Sequence, residues 1–175
     1  ASGLVSLGAG RKSTVAIFLP NIPEYMFCLL GVYLIRGICV PLDFMLTEEE
    51  LITFINHNES SILIAQEKKG IDFIRIQNAC KNLKTIVFIG QAEQGRIGIN
   101  WNDFVSRKSE LPLLKIDDAD ISSIFYTSGS TGHPKGVLLN YGHLHNPLAT
   151  FEFFIHPTNS DSLLCPGIPF SHLGG

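Results

Sequence analysis

The sequence predicts an α/β fold of three layers, in which a mainly parallel sheet is flanked by helices on both faces. Short apolar runs rich in β-branched residues recur along the first half of the chain, and stretches with helical periodicity separate them. Strands that alternate with helices form βαβ units, whose strands lie parallel. The runs are almost continuously apolar, as in strands that are covered on both faces. The four predicted strands are 14–19, 38–42, 61–65 and 85–89.

The predicted helices begin at residues suited to capping. Asn21 is predicted to cap the first helix, which is expected to run to about Arg36, where a glycine follows. Thr47 and Glu50 stand three residues apart, the spacing of a capping box, so the second helix is predicted to begin there. A third helix is predicted near residues 71–83.

The chain divides into three regions by the regularity of its pattern. The alternation of strands and helices occupies residues 13–90, and residues 91–120 are predicted to form an irregular excursion with one short helix near 101–106. Residues 121–175 are predicted to hold a loop with following strands and a helix. The chain begins without Met and stops at two glycines after an apolar segment, so we expect a trimmed piece of a longer protein.

Composition excludes several classes of protein. Of the 175 residues, 45% are hydrophobic and 17% charged, which excludes intrinsic disorder. The net charge is −3 and the sequence shows no cluster of basic residues that would form a basic face, so no nucleic acid partner is expected. The most membrane-like stretch, 25–42, contains Arg36 and Pro41 and falls short of a transmembrane segment. The four cysteines are far apart in the sequence, which predicts buried free thiols. With no signal peptide recognised, a cytoplasmic location is expected.

One segment, residues 123–137, carries the side chains of a phosphate-binding loop. Glycines allow backbone N–H groups to turn inward around an anion, hydroxyls add donors, and a lysine adds a point charge. The loop is not a Walker A motif, because Lys135 follows Gly132 by three residues with a proline between them. An ordinary Gly/Ser hairpin turn is the alternative interpretation. The residues concerned are Thr127, Ser128, Gly129, Ser130, Thr131, Gly132, Lys135 and Gly136.

Residues 126–136, Tyr-Thr-Ser-Gly-Ser-Thr-Gly-His-Pro-Lys-Gly, resemble the signature loop of the adenylate-forming (AMP-binding) enzymes, which include acyl-CoA synthetases, adenylation domains and luciferases. Residues 36–43 and 169–175 resemble two further motifs of that family, in the same order. Residues 18–25 are most similar to a fatty acyl-CoA synthetase (a long-chain-fatty-acid–CoA ligase). The resemblance implies that residues 1–175 are part of the large N-terminal AMP-binding domain, with the C-terminal domain absent.

The resemblance also implies a two-step reaction and its site residues. ATP activates a carboxylic acid, here a fatty acid, as an acyl-adenylate, and coenzyme A then displaces AMP to form a thioester. The implied cofactors are ATP, Mg²⁺ and coenzyme A as co-substrate; peripheral contact with a membrane is left open. His172 matches the motif histidine beside the substrate carboxylate, and Thr127 is also the candidate Mg²⁺ contact. The implied phosphate ligands are Thr127, Ser128, Gly129, Ser130, Thr131, Gly132 and Lys135.

Other functions stay open at this stage. Within the family, the alternative is an amino-acid or aryl-acid adenylation domain; outside it, the alternative is a catalytically silent nucleotide-binding or scaffold protein. His143 and His145 have a spacing that a metal pair could use, but surface roles are favoured because no third ligand is near. The 175-residue chain itself is expected to be inactive, with a mobile loop and ATP affinity of about millimolar or weaker.

Overall fold

The computed structural model shows a single sheet with helices packed on both of its faces. It describes residues 1–90, 98–111, 115, 117–127, 135–144 and 171. Within these ranges the strands are β1 (Thr14–Phe18), β2 (Ile38–Pro41), β3 (Ile62–Gln66), β4 (Thr85–Ile89), β5 (Ile99–Asn100), β6 (Ile121–Thr127) and β7 (Lys135–Asn140). The helices are α1 (Ser2–Ser6), α2 (Pro23–Leu34), α3 (Glu48–Asn58), α4 (Phe73–Ala79) and α5 (Trp101–Ser106).

The seven strands form a single sheet in the order β5-β4-β3-β1-β2-β6-β7. Every neighbouring pair is parallel except β6 and β7, which are antiparallel. The four strands predicted from the sequence are therefore adjacent and parallel, and the predicted fold class is confirmed. The order also places β6 beside β2 rather than beside the strand that precedes it in the chain.

Two hydrophobic cores cover the two faces of the sheet. Along β1, Val15 and Ile17 belong to one core, which α1, α2 and α5 cover, and Ala16 and Phe18 belong to the other, which α3 and α4 cover. This alternation follows from the period of two residues in a strand. Because both faces are buried, the strands consist almost entirely of apolar residues, as the sequence predicted.

The first helix departs from its predicted bounds at both ends. Asn21 is not its N-cap: Ile22 occupies that position without a side-chain cap. The helix ends before Arg36, which adopts the left-handed conformation with φ of 56°. The N–H of Gly37 bonds the carbonyl of Val32 at 3.0 Å, and that of Arg36 bonds Tyr33 at 3.0 Å. This is a Schellman motif with arginine at the position that glycine usually takes.

The bounds of the other helices and strands agree with their predicted positions only in part. The predicted helix at 71–83 is confined to α4, since Cys80 takes an extended conformation. Neither α1 nor β5 was predicted, whereas α5 occupies its predicted place. The described cysteines, Cys28, Cys39 and Cys80, are free and buried, and Cys165 lies outside the described residues. In the described part of the chain, no helix combines the length and apolarity needed to cross a bilayer.

The predicted capping box at the start of α3 is present. Thr47 Oγ1 accepts from the backbone N–H of Glu50 at 3.4 Å, and Glu50 Oε2 accepts from the backbone N–H of Thr47 at 2.8 Å. The hydroxyl of Thr47 also donates to Glu50 Oε2 at 2.8 Å. These bonds lower the pKa of the Glu50 carboxyl, the backbone N–H having the largest effect.

This capping box predicts a pH dependence of stability. Since the pKa of Glu50 is lower in the folded than in the unfolded chain, its carboxylate stabilises the fold above the unfolded pKa, and the contribution is lost as the pH falls through the folded pKa. Glu50→Gln keeps an acceptor but does not titrate. Urea titrations should therefore show a smaller loss of unfolding free energy in Glu50→Gln than in the unaltered chain between about pH 7 and about pH 3. Equal losses in both proteins would contradict the prediction.

Candidate phosphate-binding site

The candidate site lies at the end of the β6–β7 hairpin. The register pairs Tyr126 with Gly136 and Thr127 with Lys135, so the intervening residues 128–134 connect two antiparallel strands. Because β6 is parallel to β2, the connection leaves the sheet at the edge where the carboxyl ends of the parallel strands lie. Ligands of open α/β sheets bind at that edge.

The structure places two of the predicted phosphate ligands directly across the hairpin from each other. Thr127 is the last residue of β6, and Lys135, which is exposed, is the first of β7. Among the described residues no ion pair involves Lys135. The other predicted site residues lie outside the described residues: Ser128, Gly129, Ser130, Thr131, Gly132 and His172.

Two buried serines attach β6 to its surroundings. Ser123 Oγ lies 2.8 Å from the hydroxyl of Tyr33 on α2, and Ser122 Oγ donates to the carbonyl of Leu139 on β7 at 3.1 Å. Both serines are fully buried, so these bonds satisfy groups that water cannot reach. Burial also raises the pKa of Tyr33, which keeps its hydroxyl protonated. The hairpin is thereby fixed to α2 as well as to the sheet.

The base of the hairpin is held by a second set of contacts. The hydroxyl of Tyr141 donates to the carbonyl of Gly37 at 3.2 Å, and the guanidinium of Arg36 lies 4.9 Å from the Tyr141 ring centroid. Arg11 binds the carboxylate of Asp120 through two nitrogens, at 2.9 and 3.0 Å. Residues before β6 and after β7 are thus tied to the turns that flank β1 and β2.

The end of the hairpin nearest the candidate site packs against α3. Tyr126 Oη lies 2.8 Å from His57 Nδ1, and the Tyr126 ring centroid lies 4.5 Å from that of Phe54. A Cβ on Gly136 would lie 2.8 Å from Ile124 Cγ2, so glycine leaves room for the Ile124 side chain of the facing strand. Burial raises the pKa of Tyr126, against a smaller opposing effect of the Asn58 side chain. The sequence did not relate His57 or Phe54 to the candidate site, because no local pattern connects α3 with the hairpin.

Two other charged or titratable side chains, one after β3 and one at the base of the hairpin, have structural partners. Lys68 Nζ, after β3, donates to the carbonyls of Phe44 and Leu46 at 2.7 and 3.1 Å. His143 Nδ1 accepts from the backbone N–H of Asn140 at 3.1 Å, and Asn140 Oδ1 accepts from the N–H of His143 at 2.9 Å. That reciprocal pair caps the helical residues 141–144. In the described ranges no group of three or more acidic, histidine or cysteine side chains has the arrangement of a metal site.

Comparison with protein families gives a match over the whole chain. The family model described as "AMP-binding enzyme" matches residues 1–175. The chain is 28% identical to 4-coumarate--CoA ligase 2 from Solanum tuberosum, over 99% of this chain and 32% of that protein. It is 34% identical to Long chain acyl-CoA synthetase 2 from Arabidopsis thaliana, over 79% of this chain and 23% of that protein.

Solved structures share the fold. The N-terminal domain of FACL13 from Mycobacterium tuberculosis matches with a TM-score of 0.77 and 25% identity, over 97% of this chain and 41% of that one. The anthranilate CoA ligase AuaEII, in complex with anthranoyl-AMP, matches with a TM-score of 0.70 and 23% identity, over 80% of this chain and 27% of that one. The chain spans about a third of the length of the first curated relatives, from 25% to 33% of each.

Proposed function

Since the chain belongs to the AMP-binding enzyme family, we propose that the protein carrying it is an ATP-dependent acid–CoA ligase. The observation that carries the proposal is the β6–β7 hairpin. It holds Thr127 opposite Lys135 at the carboxyl edge of a parallel sheet, with the glycine- and hydroxyl-rich residues between them in sequence. Backbone N–H groups, hydroxyls and an ammonium group are the donors that a polyphosphate requires.

In the proposed first step, a carboxylate oxygen of the acid attacks the α-phosphorus of ATP. The bond from that phosphorus to the oxygen bridging to the β-phosphate breaks, and pyrophosphate leaves with the electron pair. Lys135 and the loop donors hold the β- and γ-phosphates, so they stabilise charge as it accumulates on the leaving group. Thr127 is the proposed contact for Mg²⁺, which supplies further neutralisation of phosphate charge when bound.

In the proposed second step, the sulfur of coenzyme A attacks the acyl carbon of the adenylate. The bond from that carbon to the phosphate oxygen breaks, AMP leaves with the electron pair, and the thiol proton passes to solvent. His172 is proposed to lie beside the carboxylate of the acid and to orient it for the first step. Binding the acid and ATP together in a fixed geometry removes much of the entropic cost of their reaction.

A fatty acid is the proposed substrate. The sequences Val-Pro-Leu-Asp at 40–43 and Leu-Thr-Glu-Glu-Glu at 46–50 resemble those of fatty-acyl ligases, and a long chain acyl-CoA synthetase is among the relatives. An aryl acid is the second candidate, because several relatives that match nearly the whole chain are 4-coumarate ligases.

The test is ATP–pyrophosphate exchange by the longer protein across a panel of acids. We expect exchange that depends on fatty acids, followed by formation of the CoA thioester when coenzyme A is added. Exchange that depends only on hydroxycinnamic acids would select the second candidate. Exchange only with amino acids would refute both CoA-ligase assignments, and no exchange with any acid would support a catalytically silent nucleotide-binding protein. Reactions without acid provide the background rate.

A further inference from the structure

We infer that His57 and Phe54 of α3 are positioning residues for the candidate phosphate site, acting through Tyr126. The inference rests on the proposed function, because it assigns these residues a part in binding phosphate. We call the three side chains of Phe54, His57 and Tyr126 the α3 clamp. None of them is expected to touch the nucleotide.

The α3 clamp joins parts of the chain that are distant in sequence. His57 and Tyr126 are separated by 69 positions, and their side chains meet at 2.8 Å between Nδ1 and Oη. The two rings are also arranged edge to face, with centroids 5.6 Å apart. On its other side the Tyr126 ring packs on Phe54, with centroids 4.5 Å apart and planes inclined by 33°. Tyr126 therefore meets α3 through two ring contacts and through its hydroxyl, which contacts the side chains of both His57 and Asn58.

The position of Tyr126 gives these contacts their significance. Tyr126 immediately precedes Thr127 and pairs with Gly136, which immediately follows Lys135. A Cβ at Gly136 would lie only 3.7 Å from the Tyr126 ring. Holding the Tyr126 ring consequently fixes both strands of the hairpin at the point where they lead into the predicted phosphate loop.

The helix that carries Phe54 and His57 is itself packed against the sheet. Helix α3 begins at a capping box, and its Leu51 and Ile55 are fully buried in the core beneath the sheet. Through the clamp, the packed helix α3 fixes the position of the end of the β6–β7 hairpin, at the edge of the sheet. Sites that bind polyphosphates need donors placed to within about 0.5 Å, and such precision depends on supporting contacts of this kind.

His57 itself is suited to a clean test. Its side chain is exposed, so replacing it should change global stability little. His57→Ala removes the contact to Tyr126, whereas His57→Asn places an amide group near the position of Nδ1. Tyr126→Phe keeps the ring packing and removes the hydroxyl, and with it the contacts to His57 and Asn58. Thr53→Ala is the matched control, because the Thr53 hydroxyl lies on the same helix and donates only within it, to Glu49 at 2.8 Å.

The experiment is an NMR titration of the 175-residue chain with inorganic pyrophosphate, which follows the amide signals of Lys135 and Gly136. We expect His57→Ala and Tyr126→Phe each to weaken pyrophosphate binding about three- to tenfold. The double variant should be no weaker than Tyr126→Phe, since that change already removes the hydroxyl that His57 contacts. His57→Asn should restore binding to within about twofold, and Thr53→Ala should leave it unchanged.

Lys135→Ala separates failure of the clamp from failure of the proposed function. If Lys135→Ala weakens pyrophosphate binding but His57→Ala does not, the clamp is wrong and the proposed phosphate site stands. If His57→Ala lowers only the melting temperature, the contact is structural and the clamp is again refuted. If the unaltered chain does not bind pyrophosphate, or Lys135→Ala has no effect, both the phosphate site and the clamp are refuted.

Discussion

Replacing Lys135 with alanine is expected to slow ATP–pyrophosphate exchange by the longer protein about 100- to 1,000-fold, the usual cost of removing one donor from a site of developing charge. Lys135 begins β7 opposite Thr127. Under the proposed function, its ammonium group follows the phosphate chain as pyrophosphate departs. Arginine at this position keeps the charge but has a planar, rigid group, so Lys135→Arg should recover only part of the rate.

The control for this experiment is Lys81→Ala. Lys81 is exposed and precedes β4, which three strands of the sheet separate from β6, so Lys81→Ala changes the net charge by the same amount without touching the hairpin. Exchange should then continue within about twofold of the unaltered rate. A Lys135→Ala protein with near-normal exchange would show that the hairpin does not hold the leaving pyrophosphate.

Replacing Phe88 with alanine is expected to lower the free energy of unfolding of the chain by about 3–5 kcal/mol. Phe88 is 1% exposed in the middle of β4, and its ring meets that of Phe73 edge to face, with centroids 5.1 Å apart. The substitution removes the favourable free energy of burying the phenyl ring and leaves a cavity between the sheet and α4. The loss is a large part of the total stability of about 5–15 kcal/mol that is usual for a domain.

Phe27→Ala provides the matched comparison, because the same atoms are removed from a side chain on α2 that is 64% exposed. Its effect should stay below about 1 kcal/mol. Urea denaturation of the two variants and the unaltered chain measures both values. A similar small loss in the two variants would mean that the core around β4 can rearrange to fill the space.

The parts of the fold that could be predicted from the sequence are those set by local physical preferences. The four apolar runs gave the parallel strands, because only a sheet covered on both faces accommodates such runs. Thr47 and Glu50 gave the start of α3, since a capping box involves residues only three positions apart. The short helix at Trp101–Ser106 was likewise predicted from its own residues.

The errors arise where distant residues decide the structure. Local preference favoured Gly37 as the residue that ends α2, but Arg36 takes the left-handed conformation. Its guanidinium lies over the ring of Tyr141, about a hundred positions away, which no local pattern reveals. Asn21 was expected to cap the same helix, yet Ile22 takes the cap position, with its N–H bonded to the carbonyl of Pro20 at 2.8 Å.

The candidate site shows the same division. The glycines and hydroxyl side chains between Thr127 and Lys135 predicted a phosphate loop, because all of these groups lie in one short segment of the sequence. The register of β6 and β7 pairs Thr127 with Lys135 across the hairpin. The spacing of these residues in the sequence does not determine that register. The contact of His57 with Tyr126 depends on the whole path of the chain between α3 and β6, and only the folded structure reveals it.

The placement of β6 beside β2 has a consequence during translation. About 80 residues separate the two strands, so at roughly 5–20 residues per second β2 leaves the ribosome some 4–16 s before its second neighbour. For that interval one edge of an apolar strand has no partner within the chain, and such edges promote aggregation. Pro41 shortens the exposed edge by removing one N–H group. We therefore expect the yield of soluble protein to depend on how quickly the stretch between Leu42 and Asp120 is translated, and hence on codon choice within it.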